Sequence, residues 1–312
     1  MQGRASVPTP PDDWLAVPER GSPALLRLMV ALSLRFGRRA SRRILYLATA
    51  YFFLFAPRAG RASRAYLRRA LGREPRLRER YRHLFYFATT THDRIFIANA
   101  TDDSLSITIE GADLMRAQHA TGRGAILLGA HLGSFEIVGT IGRRIPGTRV
   151  AMAMYEENAG ELRALLTALA WQSPPEIVPL GHVNSMLRIA ECLDSGGFVG
   201  ILGDRSFGTE ARQPVRLLGD AALLPTGPMR IAAVLGCPVI FMAGLYRGAN
   251  RYHVVFETVA DFAGVRGAER QRAIEGAIGR YAGLLERHVR RDPYNWFNFY
   301  DFWNSPNDAE AR

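Results

Sequence analysis

The stretch GAILLGAHLGSFEIVG (124–139) carries a strand-length apolar run that ends on His131, with Glu136 five residues later where a helical pattern begins. In an open α/β sheet, ligands bind outside the carboxyl ends of the strands, so a histidine there sits where chemistry is done. A histidine beside a carboxylate makes a general-base pair. The carboxylate fixes the tautomer through one ring nitrogen, and the other nitrogen is left to deprotonate a hydroxyl. Gly133 permits a tight turn and Ser134 is placed to cap the helix carrying Glu136. A histidine satisfied in a core would give the same bare spacing; its position after a buried strand favours the catalytic reading.

A second apolar run, GGFVGILGDRSFG (196–208), ends on Gly203, Asp204 and Arg205. An Asp–Arg pair at a strand tip either forms a structural ion pair or orients a polar or phosphorylated group of a substrate. LPTGPMRIA (224–232) places Thr226 and Gly227 at a helix start, which suits an anion or is an ordinary cap. No serine or cysteine stands in a nucleophile-elbow spacing. Cys192 and Cys237 lie inside apolar runs and read as buried free thiols. The nucleophile is therefore expected to come from the substrate.

Composition removes several alternatives. All 40 basic residues are arginine, which excludes a lysine Schiff base, a P-loop lysine and a serine–lysine dyad. With 29 acidic residues the formal charge is +11, which suits acidic partners. No cluster suggests a metal, and no motif suggests a nucleotide cofactor or nucleic acid.

The elements that must position these residues follow from periodicity. Residues 1–22 are polar and proline-rich and read as disordered, with no signal-peptide pattern. Two apolar runs, 24–36 and 44–56, flank GRRASRR. Each falls short of the roughly 20 residues a span requires, and the arginines forbid fusing them. Helices lying in a membrane interface are the preferred reading over a single span or buried soluble helices. Residues 57–82 add ten arginines against two glutamates, a composition that attracts anionic headgroups. A helix is expected over 78–98, a strand over 105–111 and a helix near 112–120. Strands at 124–130, 148–155, 176–181 and 197–203 then alternate with helices at 133–144, 159–171 and 184–195. A strand at 214–219, a helix at 225–236, strands at 238–247 and 252–259 and a helix at 268–290 complete the pattern. This alternation predicts an α/β fold with a mainly parallel or mixed central sheet, covered by helices on both faces. The expected organisation is a disordered 1–22, a membrane-associating 23–82, a catalytic domain over 83–304 and a disordered tail, 305–312.

His131-x4-Glu136 after a buried strand, followed by GILGDR and LPTGPMRIA, resembles the lysophospholipid acyltransferase superfamily. Within it the chain is most similar to the late (secondary) acyltransferases of lipid A synthesis. YLATAYFFLFAPRAGRASRAYL near the N-terminus and YNWFNFYDFW (294–303) near the C-terminus strengthen the likeness, which runs from about residue 23 to 304. The resemblance implies an inner-membrane enzyme on the cytoplasmic face that moves a fatty acyl group from a thioester, on acyl carrier protein or coenzyme A, to a lipid hydroxyl. It makes His131 the base and Glu136 its partner, and gives Asp204 and Arg205 a strand-end position. The F-P-E-G-x-R box of the glycerol-phosphate branch is absent, which argues against a glycerolipid acceptor. Lipid A, an ornithine lipid and an aryl polyene pigment all stay open as acceptors. A non-catalytic lipid-binding protein of the same fold and an acyl thioesterase are the competing readings.

Overall fold

The computed structural model describes residues 23–99, 105–143, 148–155, 176–206 and 210–303. The expected disorder at 1–22 and 305–312 and the expected helix at 159–171 lie outside these residues. Three N-terminal helices come first: α1 (Pro23–Phe55), α2 (Pro57–Leu71) and α3 (Leu77–Asn99). Gly37, at φ 76° and ψ 167°, breaks α1 into two helical segments where GRRASRR begins. Among the described residues, no helix is long and apolar enough to cross a membrane.

After β1 (Ser106–Glu110) and α4 (Ala112–Ala120) come β2 (Ala125–Gly129), α5 (Phe135–Arg143), β3 (Val150–Tyr155) and β4 (Glu176–Leu180). The chain continues through α6 (Val183–Asp194), β5 (Phe198–Leu202), β6 (Arg212–Leu217), β7 (Asp220–Pro225) and α7 (Gly227–Leu235). It closes with β8 (Pro238–Tyr246), β9 (Arg251–Asp261) and α8 (Glu269–Arg291).

Seven strands form one mixed sheet in the order β1-β9-β8-β2-β5-β3-β4. Among the described residues, only the β8–β9 pair of this sheet is antiparallel. Strand β2 lies at the centre between β5 and β8, both parallel to it, and every one of its residues is buried. A strand buried on both faces has no reason to alternate, which is why 124–130 reads as a continuous apolar run. Side chains of β2 point alternately to two apolar layers. Ile126 and Leu128 meet residues of α2, α6, α7 and α8, including Leu67, Ile189, Met229 and Ile278. Ala125 and Leu127 join Ile97 of α3 and Ile137 of α5 on the other side. Helices thus cover both faces.

The strand expected at 214–219 is one arm of a hairpin, with β6 and β7 antiparallel. Its turn places Leu218 and Gly219 at positive φ, a conformation that Asn-Gly signals in sequence and Leu-Gly does not.

The boundary expected after residue 82 falls inside α3, and the N-terminal helices share the fold's interior. Tyr66 and Leu67 of α2 belong to the same apolar layer as β2. Arg38, the first arginine of GRRASRR, is buried and forms a two-pronged bond to Asp93 of α3, at 2.7 and 2.6 Å. Asp93 also accepts the Tyr252 hydroxyl of β9 at 2.6 Å. Desolvated charges of this kind persist only when paired and hydrogen-bonded, and here the pairing ties α1 to the sheet.

Candidate active site

The strand register builds the site. Parallel pairing of β2 with β5 sets Leu128 against Ile201 and Gly129 against Leu202. Two residues further along each chain, His131 and Asp204 face one another. Asp204 Oδ1 lies 2.9 Å from His131 Nδ1, and Oδ2 accepts the His131 backbone N–H at 3.0 Å. Oδ2 also accepts the Trp296 indole N–H at 2.9 Å. An ionised carboxylate only accepts, so Nδ1 carries the ring proton and Nε2 keeps its lone pair. The His131 side chain is 32% exposed while that of Asp204 is 2% exposed, so the pair presents its basic end outward and buries its charge.

Electrostatics agree with that division. Burial lowers the His131 pKa below its ordinary value, helped by the Arg205 charge and opposed by Asp204. The imidazole is therefore neutral at pH 7. Burial pushes the Asp204 carboxyl up, but the His131 ring, Arg205 and the Trp296 donor together outweigh it and hold it well below the usual carboxylate range.

Glu136 does not reach the His131 ring. It is buried in the first turn of α5, accepts the Ser134 hydroxyl at 2.8 Å, and forms an ion pair with Arg94 of α3 at 2.6 Å. The expected His131–Glu136 contact is thus replaced by two separate pairs, His131–Asp204 and Glu136–Arg94. The reason is the turn between them. Gly133 sits at φ 75° and bridges to Gly244 of β8, and a Cβ there would collide with the Gly244 carbonyl. The turn sends α5 toward α3 rather than back over His131. Ser134 Oγ accepts the Ile137 N–H at 3.4 Å, in keeping with a helix-capping serine. Arg94, which the sequence alone did not single out, also depresses the His131 pKa.

Arg205 donates to the Phe297 carbonyl at 3.1 Å and lies over the Tyr300 ring, so its link to Asp204 is electrostatic rather than an ion-pair contact. Gly203 continues the register: its N–H donates to the Gly129 carbonyl at 2.9 Å, and a side chain there would press into Leu128. The Gly129 carbonyl also accepts the Tyr281 hydroxyl at 2.8 Å.

Thr226 and Gly227 take other contacts. Thr226 donates through its hydroxyl to Ala211 at 3.1 Å. The Glu210 carboxylate occupies the space a Gly227 side chain would need and accepts the Tyr155 hydroxyl at 2.7 Å. The start of α7 thus already has a carboxylate from this chain beside it.

The aromatic segment 294–303 closes the site. The Phe297 N–H donates to the His131 carbonyl at 2.8 Å, and the Gly133 N–H donates to the Asn295 carbonyl at 2.8 Å. The Asn295 side chain bonds both the N–H and the carbonyl of Tyr246 in β8, at 2.8 and 3.1 Å. His131 is thereby stitched on both sides to a segment far along the chain. Asn298 is buried, with neither end of its amide hydrogen-bonded.

The assembled group can act as a general base on a hydroxyl. Both cysteines are free and buried, and burial raises both thiols, Cys237 to about 12. Thiols so protonated are poor nucleophiles. A family model described as bacterial lipid A biosynthesis acyltransferase matches residues 29–305. No curated protein matches the chain.

Proposed function

Because the chain belongs to the bacterial lipid A biosynthesis acyltransferase family, we propose that it transfers a fatty acyl group from a carrier thioester to a lipid hydroxyl by direct attack. The observation that carries the mechanism is the His131 ring, with Nδ1 held by buried Asp204 and Nε2 making no hydrogen bond among the described residues. Nε2 takes the proton of the acceptor hydroxyl as its oxygen attacks the thioester carbonyl. Asp204 stabilises the imidazolium that forms. The positive fields of Arg205 and Arg94, which add to burial in lowering the pKa of the resting ring, favour the developing oxyanion. Collapse of the tetrahedral intermediate breaks the carbon–sulfur bond, and the departing thiolate takes the proton from His131. Glu136 holds Arg94 in place beside the base.

Acyl carrier protein is the proposed donor, since its acidity complements a chain of net charge +11. A lipid A-type hydroxyl is the proposed acceptor. The proposed setting is the cytoplasmic face of an inner membrane, engaged through α1 to α3. On α1, Ile44, Leu47, Tyr51 and Leu54 form an exposed apolar stripe at helical spacing, with Leu47 74% exposed, while Leu45 and Thr49 face inward. An apolar stripe turned outward, with exposed Arg43 next to it in sequence and exposed Arg58, Arg61 and Arg68 in the helix that follows, suits an anionic bilayer surface.

The test is direct. Purified protein is given acyl carrier protein or coenzyme A thioesters with lipid A precursors, ornithine lipids or aryl polyenes, and products are read by mass spectrometry. An acylated lipid is expected. Free fatty acid alone would identify a thioesterase, and no turnover with any pair would point to a non-catalytic protein.

A further inference from the structure

We infer that His83 is a positioning residue for the His131–Asp204 pair and that it acts through Trp296. The inference rests on the acyl-transfer reading above for its kinetic consequences, though not for its geometry.

His83 lies in α3 and is wholly buried, as is Trp296. Its Nε2 is 2.8 Å from the Trp296 carbonyl, which only accepts, so Nε2 carries the proton. Nδ1 therefore accepts, and the Ser63 hydroxyl of α2 supplies the donor at 2.8 Å. Burial pushes the His83 pKa down to about 4, so this neutral, single-tautomer arrangement persists at working pH. Both ring nitrogens are used directionally, which a shape-filling apolar side chain at position 83 would not do.

From Trp296 the connection runs on without a break. The backbone carbonyl is held by His83, and the indole N–H holds the same Asp204 oxygen that accepts the His131 N–H. The Tyr66 ring stands edge-on to the indole at 5.3 Å and fixes its plane. The residues either side of Trp296 bond to the His131 loop: Asn295 to Gly133, and Phe297 to His131. Displacing Trp296 therefore moves both members of the base pair. Helices α2 and α3 are on this account part of the catalytic scaffold, and misplacement of about 1 Å at such a site costs on the order of 10²-fold in rate.

The test uses the full chain carrying His83→Phe, His83→Gln or Ser63→Ala. Three readouts are taken: kcat and KM for acyl transfer, the acid limb of the pH profile, and the ring ¹⁵N shifts of His131, assigned with His131→Gln. His83→Phe is expected to lower kcat about 10- to 100-fold with KM for the thioester within about 2-fold. It should also weaken the Nδ1–H signature of His131 and move the acid limb to lower pH, since the imidazolium loses part of its Asp204 contact. His83→Gln retains a side-chain N–H donor and is expected to recover most of both. Ser63→Ala, which leaves the packing nearly intact, should shift all three in the same direction by a smaller factor. It decides the matter if His83→Phe does not fold. The inference is overturned if folded variants keep the wild-type kcat, or if kcat falls with the His131 shifts and acid limb unmoved. It is equally overturned if His83→Gln is no better than His83→Phe. If the wild-type protein transfers no acyl group, the functional reading fails, and the ¹⁵N shifts still decide the coupling.

Discussion

The Nδ1 atom of His131 lies 2.9 Å from Oδ1 of Asp204, across the tips of two adjacent parallel strands. The carboxylate also holds the His131 backbone and the Trp296 indole, so one buried charge fixes the tautomer, the orientation and the loop that carries the base. On the proposed mechanism, activity depends first on this pair, with Glu136 acting through Arg94.

His131→Ala is expected to abolish acyl transfer. Asp204→Asn keeps the shape but supplies an amide where a carboxylate accepted three hydrogen bonds, and kcat should fall about 10³- to 10⁴-fold. Glu136→Gln leaves the His131–Asp204 bonds intact and should lose clearly less. Steady-state kinetics on the three purified variants give the order. Equal losses for Asp204→Asn and Glu136→Gln would make Glu136 a direct partner of the base.

The pH profile should report the His131 ring. A base must be unprotonated, so activity is lost as pH falls through its pKa, which burial and Arg205 place below the ordinary histidine value. Arg205→Met removes a positive charge, raises that pKa and moves the acid limb to higher pH. Asp204→Asn removes the anion that favours imidazolium and moves the limb to lower pH while the rate drops. Profiles of kcat/KM over pH 4–9 test both signs; shifts in the same direction for the two variants would reject this electrostatic account.

The cysteines should prove dispensable. Cys192 and Cys237 are buried with raised thiol pKa values, so Cys192→Ala with Cys237→Ala should retain activity within about 3-fold once folded. A folded double variant unable to transfer acyl groups, or a trapped acyl-cysteine seen by intact-mass spectrometry, would favour a covalent route.

Arg38→Met should destabilise the fold. It removes the two-pronged arginine bond and leaves the buried Asp93 carboxylate with the Tyr252 hydroxyl at 2.6 Å and His92 Nδ1 at 3.9 Å, and loss of one member of a buried pair costs about 3–5 kcal/mol. Denaturant unfolding of the two proteins measures the difference. A change below about 1 kcal/mol would show that α1 is held chiefly by its apolar contacts.

Vesicle binding should depend on the outer stripe of α1. Leu47→Glu with Leu54→Glu changes exposed positions and leaves the buried Arg38–Asp93 link untouched, so folding should survive while flotation with anionic vesicles is lost. For the unaltered protein, binding should weaken in high salt, because the arginine contribution is screened over ~8 Å at physiological ionic strength. Undiminished flotation of the double variant would place the membrane contact elsewhere.

Much of the architecture was legible in sequence, because local patterns report local structure. The apolar run at 125–129 is a strand because every side chain in it is buried. The repeat of Ile274, Ile278, Tyr281, Leu284, Leu285 and His288 is a helix because one face of α8 meets the core, with Leu284 half-buried at the margin of that face. The place of His131 at a strand tip followed from the same logic, as did the separation of the two apolar N-terminal runs at GRRASRR. The partner of His131 did not. Glu136 is near in sequence, yet a glycine turn directs it to Arg94, and Asp204 stands opposite only because β5 chose β2 as its neighbour. Trp296, His83 and Ser63 join the site from three further elements, through bonds whose partners lie far apart in the chain. Periodicity within one segment carries information about which face is buried; strand order and the contacts between tips are set by how all segments pack at once, and only the tertiary structure contains that.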